Sequence, residues 1–135
     1  MYSHSTTYRV CYADTDQMGY MYYGNYARLY EIARVEMLRS LGVSYKSLED
    51  IGIGLPVYDN YSKFHAPALY DDLLTVNCRI DELPSARIIF NYQIFNQEGK
   101  LINEGRTTLV FMNLVDKKII RVPETILSAL KSVFK

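Results

Sequence analysis

The sequence predicts the α+β class, with one long helix packed against one antiparallel sheet. Apolar residues recur every three or four positions from about Gly24 to Leu41, and most of the chain after this segment alternates between apolar and polar residues. Strands that follow one another through short turns are antiparallel. A helix and a sheet that each carry an apolar face bury those faces against each other. With 135 residues and no repeat, linker or low-complexity segment, residues 1–135 are expected to form a single domain.

The predicted helix carries an apolar stripe broad enough to pack against a sheet over much of its circumference. Gly42 follows its last apolar residue, in a position where glycine commonly ends a helix. Arg28 and Glu31 are three residues apart, as are Glu31 and Arg34, so we expect these side chains to pair on the polar edge of the helix.

Five strands are predicted to accompany this helix. The first is short and buries Tyr8, Val10 and Tyr12, whereas His4 before it is expected to lie in a frayed terminus. The turn at Asn96–Gly99 joins two of the later strands in a hairpin. The other predicted elements are a short helical turn over Ser44–Asp50, a bulged strand over Leu55–His65, strands over Leu74–Ile80, Ile88–Ile94 and Leu101–Leu114, and a C-terminal helix from Pro123 to Phe134.

The composition excludes several classes of protein. Fifteen basic residues balance fifteen acidic ones, so no overall field attracts nucleic acid or an acidic membrane surface, and an anionic ligand needs a local basic cluster. Cys11 and Cys78 lack the spacing of metal ligands and are typical of buried residues in a reducing compartment, although the sequence leaves open one disulfide between them. The N-terminus has no signal-peptide core and no segment is long enough to span a membrane, so a cytoplasmic protein is expected.

The most informative segment runs from Tyr12 to Arg34. Asp14 and Asp16 precede Gly19 and then a cluster of tyrosines, and the predicted helix follows at once. In an extended chain two such carboxylates face the same way. A carboxylate at the start of a helix is available as a nucleophile or base, while the backbone N–H groups of residues 23–25 polarise a carbonyl. The alternative, with equal weight on spacing alone, is a polar loop that caps the helix.

Other catalytic motifs are absent. The sequence has no nucleophile elbow, no zinc-protease motif, no P-loop and no dinucleotide fingerprint. His65 precedes Pro67 at a predicted strand end, where a structural histidine is favoured over a catalytic one. Asp14 and Asp16 alone are a poor site for a transition metal, so no metal is expected. The segment from His65 to Asp72 is interpreted as a turn.

Four motifs in this order resemble those of the YbgC-like and 4-hydroxybenzoyl-CoA thioesterases, which are acyl-CoA thioesterases of the hotdog fold. The resemblance extends from about Tyr8 to Pro123. The motifs are Tyr12-x-Asp14-x-Asp16-x-x-Gly19, Tyr22-Tyr23-Gly24-Asn25-Tyr26, Tyr30-Glu31-x-x-Arg34-x-Glu36 with Gly42, and Pro67-x-x-Tyr70-Asp71-Asp72-x-Leu74.

The resemblance implies a five-stranded antiparallel sheet wrapped around the long helix, with the active site at the interface of a homodimer. The catalytic aspartate of the family corresponds to Asp16, which attacks the thioester carbonyl or activates a water, and the oxyanion contact corresponds to the backbone N–H of Tyr23. Asp14 corresponds to an orienting or structural partner. The residues assigned to substrate binding by the same resemblance are Gly19, Gly24, Asn25 and Arg87.

The sequence departs from the family at two places. Many YbgC-like members carry a histidine where this chain has Tyr23, so a possible acid or base is missing there. Of the basic stretch that binds the coenzyme A phosphates in the hydroxybenzoyl type, only Arg87 is positive here.

The expected substrate is an acyl-CoA, with no separate cofactor, and the expected assembly is a dimer or a dimer of dimers. Two alternatives stay open: hydrolysis of acyl groups on a carrier protein, and a non-catalytic dimer that binds acyl ligands.

Overall fold

The elements follow the predicted order in a computed structural model that describes residues 1–135. Five long strands and one long helix dominate, and a 3₁₀ turn at Tyr12–Asp14 precedes the helix. The elements are β1 (Tyr2–Arg9), α1 (Gly24–Ser40), α2 (Tyr45–Asp50), β2 (Ile53–Gly54), β3 (Val57–Phe64), β4 (Leu73–Ile80), β5 (Arg87–Phe95), β6 (Leu101–Asn113), β7 (Ile119–Ile120) and α3 (Glu124–Val133).

The long strands form an antiparallel sheet in the order β1-β4-β5-β6-β3, and the two-residue strands β2 and β7 also pair with β6. Alternate residues of β4 and β5 are buried, which matches the period of two in a half-buried strand. The predicted bulge is confirmed, because the register between β3 and β6 shifts between Val57 and Asp59. The sheet therefore ends in two edge strands, β1 and β3.

Helix α1 packs its apolar stripe on this sheet. Tyr30 stacks on Tyr92 of β5, with ring centroids 4.1 Å apart and planes inclined by 6°. The phenol of Tyr30 also lies 2.8 Å from the Ser62 hydroxyl of β3, so it ties the edge strand to the helix. Gly105 is required at this point, because a Cβ there would collide with the Tyr30 ring. The core thus joins the helix to β5, β6 and β3.

The first strand differs from the prediction. It spans Tyr2–Arg9, and His4 pairs with Cys78 of β4 instead of lying in a frayed terminus. Tyr12 belongs to the 3₁₀ turn and is largely exposed, so its predicted burial is wrong. The sequence pattern does not predict this part of the strand because the side chains that face inward, Tyr2, His4 and Thr6, are only weakly apolar. Pairing with β4 orders it.

The expected pairing of Arg34 with Glu31 is also wrong. Arg34 is only 6% exposed and makes no salt bridge. Its guanidinium donates to the hydroxyls of Tyr92, at 3.0 Å, and Tyr45, at 3.3 Å. Arg28 pairs with Asp14 instead of Glu31. Partners distant in the sequence therefore decide where these two arginines lie: a carboxylate for Arg28, and hydroxyl groups for Arg34.

None of the helices combines the length and apolar composition that crossing a membrane requires.

Candidate active site

A tight loop between the 3₁₀ turn and α1 holds Asp16. The N–H of Asp16 donates to the carbonyl of Tyr20 at 2.8 Å, and the N–H of Gly19 donates back to the carbonyl of Asp16 at 3.0 Å. Gly19 has a φ of 79°, a conformation that other residues adopt at a cost. Further bridges join Thr15 to Met21 and Tyr20 to Leu69. The backbone around Asp16 is thus fixed on both sides.

The carboxylate of Asp16 is only half engaged. Its Oδ1 accepts hydrogen bonds from the N–H groups of Met18, at 2.9 Å, and Tyr20, at 3.3 Å. Its Oδ2 accepts none from the chain, and the residue is partly exposed. One oxygen therefore orients the group, and the other is available to a ligand.

Asp14, two residues earlier, is fully engaged and buried. Its Oδ1 accepts from Arg28 at 2.8 Å, and its Oδ2 accepts from the phenol of Tyr8 at 2.6 Å and the N–H of Cys11 at 2.8 Å. Burial raises the pKa of Tyr8, and its hydrogen bond to Asp14 raises that pKa further. Because Asp14 ends a 3₁₀ turn and is not extended, the two carboxylates have separate partners. The expectation that they face the same way is not met.

The start of α1 has free backbone donors. No side chain caps this helix, so the alternative of a capping loop is wrong. The N–H groups of Tyr23 and Gly24 donate no hydrogen bond within the chain. They carry the positive end of a 17-residue helix, which stabilises a developing negative charge. Gly24 also leaves room for the Tyr22 ring, which a Cβ there would approach to 2.7 Å.

Asp16 and Tyr23 line the same groove, which has a volume of about 370 Å³ and mostly apolar walls. The rings of Tyr26 and Phe64 meet edge to face on its wall, 5.0 Å between centroids. Burial raises the pKa of Tyr26 to about 12, so its hydroxyl is neutral near pH 7. The lining residues are Asp16, Met18, Tyr20, Met21, Tyr23, Tyr26, Phe64, His65, Ala66 and Pro67.

The other residues assigned to substrate binding lie outside this groove. Gly19 shapes the loop, and the side-chain amide of Asn25 donates to the carbonyl of Asp14 at 2.8 Å. Arg87 begins β5, whereas Ile94 near the other end of β5 lies in the same row of the sheet as Phe64. At roughly 3.4 Å per residue, Arg87 is about 24 Å from the Phe64 end of the sheet. Within one chain the structure does not bring Arg87 to Asp16.

His65 also lines the groove, although its position at a predicted strand end favoured a structural role over a catalytic one. It follows β3, and its Nε2 lies 2.8 Å from Oε2 of Glu104 on β6. The available signal was that His65 is the one histidine within the segment that resembles the thioesterases. Because His65 is distant from Asp16 in the sequence, no local pattern indicates that both residues line one groove.

Comparison with known proteins agrees with the fold. Residues 10–130 match the model of the thioesterase-like superfamily. The acyl-CoA thioester hydrolase YbgC of Escherichia coli is 32% identical over 91% of this chain and 92% of that protein. The structure of a DHNA-CoA thioesterase from Staphylococcus aureus is 32% identical, with a TM-score of 0.86, over 99% of this chain and 85% of that chain. A 1,4-dihydroxy-2-naphthoyl-CoA thioesterase from Synechocystis is 25% identical, with a TM-score of 0.91, over 98% of both chains.

These matches confirm the class that the family resemblance implied, a hotdog-fold thioester hydrolase. The chain belongs to the thioesterase-like superfamily.

Proposed function

We propose that this protein hydrolyses the thioester of an acyl-coenzyme A to the free acid and coenzyme A, with Asp16 as the reacting carboxylate. One observation carries the proposal. Asp16, with an unengaged Oδ2, lines the same apolar groove as Tyr23, whose backbone N–H is also unengaged. A carbonyl group needs both partners: a nucleophile or base at its carbon, and hydrogen-bond donors at its oxygen.

The chemistry follows from these two groups. The thioester oxygen accepts hydrogen bonds from Tyr23 and Gly24, and the helix terminus stabilises the oxyanion. Asp16 either attacks the carbonyl carbon, giving a mixed anhydride and coenzyme A thiolate, or removes a proton from an attacking water. Asp14 keeps the loop in place through Arg28.

We extend the proposal to a homodimer joined through β3. This edge strand pairs only with β6 and exposes Val57, Tyr58, Tyr61 and Phe64. An exposed apolar edge strand is an aggregation hazard unless it is paired. Pairing of two β3 strands about a two-fold axis would bring the Arg87 end of one subunit alongside the Phe64 end of the other.

This arrangement gives Arg87 a role in the site of the other subunit. Arg87 and Arg106 line one surface groove together with Asp81, which pairs with Arg79, and Glu82; neither Arg87 nor Arg106 makes a salt bridge. Arg87 lies over the ring of Tyr58, 5.4 Å from its centroid. Two unpaired guanidinium groups suit the phosphates of coenzyme A. A dimer of dimers and a cytoplasmic location, consistent with the free cysteines Cys11 and Cys78, belong to the same proposal.

The test is a hydrolysis panel of short, long and aromatic acyl-CoA substrates, in which hydrolysis is measured as the release of free thiol. The aromatic members include 1,4-dihydroxy-2-naphthoyl-CoA, because two similar structures are named for it. Asp16→Asn is expected to lower kcat roughly 1000-fold while the protein stays folded. The matched control is Asp50→Asn, which changes an exposed carboxylate on α2 and is expected to keep full activity.

The same panel separates the alternatives. If the protein hydrolyses carrier-protein thioesters but none of the acyl-CoA substrates, the alternative of a carrier-protein thioesterase is favoured. Binding of acyl-CoA without any turnover would favour a non-catalytic acyl-binding dimer. Full activity of Asp16→Asn would remove Asp16 from the mechanism.

A further inference from the structure

The groove contains a second group capable of proton transfer, contributed by a different part of the chain from Asp16. His65 follows the end of β3, and its backbone N–H donates to the carbonyl of Ile102 on β6 at 2.9 Å. The neighbouring N–H of Ala66 donates to the same carbonyl at 3.2 Å. The backbone that carries the imidazole is therefore fixed to β6.

The side chain of His65 is oriented as well. Oε2 of Glu104 lies 2.8 Å from Nε2 of His65, and a carboxylate can only accept a hydrogen bond from that nitrogen. The proton of a neutral imidazole is thereby placed on Nε2, which leaves a lone pair on Nδ1. The one side-chain hydrogen bond of His65 is made through Nε2, so Nδ1 is unengaged within the chain. This is the arrangement by which a carboxylate holds a histidine ready to act as a base.

We propose that His65 is the acid–base residue of the groove and that Glu104 is its positioning residue. This inference rests on the proposed function and selects the route in which Asp16 is the nucleophile. A single carboxylate that has become acylated cannot also activate the water that must remove the acyl group. A separate base is needed for that step, and His65 brings to the groove an imidazole with an unengaged Nδ1.

Oδ2 of Asp16 attacks the thioester carbon, the C–S bond breaks, and its electron pair leaves on sulfur as the thiolate. Nδ1 of His65 then takes a proton from water as the water oxygen attacks the acyl carbon. The bond between that carbon and the Asp16 oxygen breaks, and its electron pair restores the carboxylate. The imidazolium returns its proton to the thiolate, so one acyl-CoA and one water give one acid and one thiol.

Several charged or titratable groups face His65, and they set the pH dependence together with it. Glu104 faces it from β6, Lys63 of β3 lies opposite Glu104 in the strand register, and the others line the groove from the loop and from α1. The groove residues are Asp16, Tyr20, Tyr23 and Tyr26.

The experiment compares wild type, His65→Gln and Glu104→Gln on benzoyl-CoA and hexanoyl-CoA between pH 5 and pH 9. His65→Gln is expected to lower kcat roughly 100-fold, to change KM less than about 3-fold and to flatten the rise of kcat with pH. Because the acylated enzyme would then break down slowly, the variant should release a burst of coenzyme A equal to the enzyme concentration before slow turnover. Glu104→Gln keeps a hydrogen-bond acceptor without the charge, so a smaller loss, roughly 10-fold in kcat, is expected.

His4→Gln is the matched control, because it removes the other histidine, which lies on β1 and outside the groove. It is expected to keep the wild-type pH profile.

An unchanged kcat and pH profile in His65→Gln, a change confined to KM, or a loss of kcat without a burst would overturn the inference. If His65→Gln does not fold, Glu104→Gln decides alone: a lower kcat at constant KM supports the role, and an unchanged kcat overturns it. If the wild type is active and His65→Gln keeps the wild-type kcat and pH profile, only this inference is contradicted. If the wild type hydrolyses no member of the panel, the proposed function itself is contradicted.

Discussion

Asp14 and Asp16 stand two residues apart on the same loop and have opposite surroundings. Both oxygens of Asp14 are hydrogen-bonded, it is 5% exposed, and it joins β1 to α1 through Tyr8 and Arg28. Asp16 uses one oxygen to hold its own loop and leaves the other unengaged in an apolar groove. A side chain whose hydrogen-bonding capacity the fold consumes stabilises the structure, and one with spare capacity is available for chemistry. The comparison predicts that Asp14 mutations affect stability and that Asp16 mutations affect rate.

The largest expected effect on stability is that of Asp14→Ala. The substitution removes three hydrogen bonds, from Arg28, from Tyr8 and from the N–H of Cys11, so we expect the free energy of unfolding to fall by about 3 kcal/mol. Urea denaturation measures it. The exposed carboxylate variant Asp50→Asn should lose less than about 0.5 kcal/mol. A loss of similar size in both variants would show that the Asp14 network adds nothing.

Tyr26, in the wall of the groove, makes a smaller contribution to the free energy of unfolding, and the loss of this contribution is measurable only at high pH. The pKa of Tyr26 is raised to about 12 in the folded protein, above its ordinary value of 10.0, so folding favours the neutral phenol. This stabilisation is complete below about pH 10 and is lost as the pH rises through about 12. Tyr26→Phe keeps the ring against Phe64 but does not titrate. Its unfolding free energy should fall less between pH 7 and pH 11 than that of wild type, and an equal fall would contradict the assignment.

The smallest expected effect concerns the turn that holds Asp16. Gly19 has a φ of 79° with open space around its Cβ position, so Gly19→Ala adds backbone strain without a clash. We expect it to lower the free energy of unfolding by about 1 kcal/mol. Gly42→Ala is the matched control, because Gly42 has a φ of 81° and open space around its Cβ position, and it follows the C-terminal end of α1, whereas the groove lies at the start of that helix. Both variants should lose similar stability, but only Gly19→Ala should also lower kcat.

The helix and the later strands were predictable because local patterns specify them. The alternation from Leu74 to Ile80 and the apolar period of α1 identify a strand and a helix without tertiary information. β1 was longer than predicted because its inward residues are weakly apolar and pairing with β4 orders them. Arg34 was misjudged because its partners, Tyr45 and Tyr92, are hydroxyl groups distant in the sequence.

The candidate site was predictable only in part, for a similar reason. The resemblance selected Asp16 and Tyr23 from neighbouring motifs, and spacing alone did not separate Asp16 from Asp14. The difference between the two carboxylates depends on Arg28 and Tyr8, which the fold brings to Asp14. His65 shares a groove with Asp16 because β3 ends beside α1, and no local pattern records that contact.

The central claim is that Asp16 carries the chemistry and that the fold does not need its second oxygen. The most direct test measures kcat on acyl-CoA and the free energy of unfolding for one variant, Asp16→Asn. We expect kcat to fall roughly 1000-fold while the free energy of unfolding changes by less than about 1 kcal/mol. A variant that turns over at the wild-type rate, or one that loses activity only because it unfolds, would contradict it.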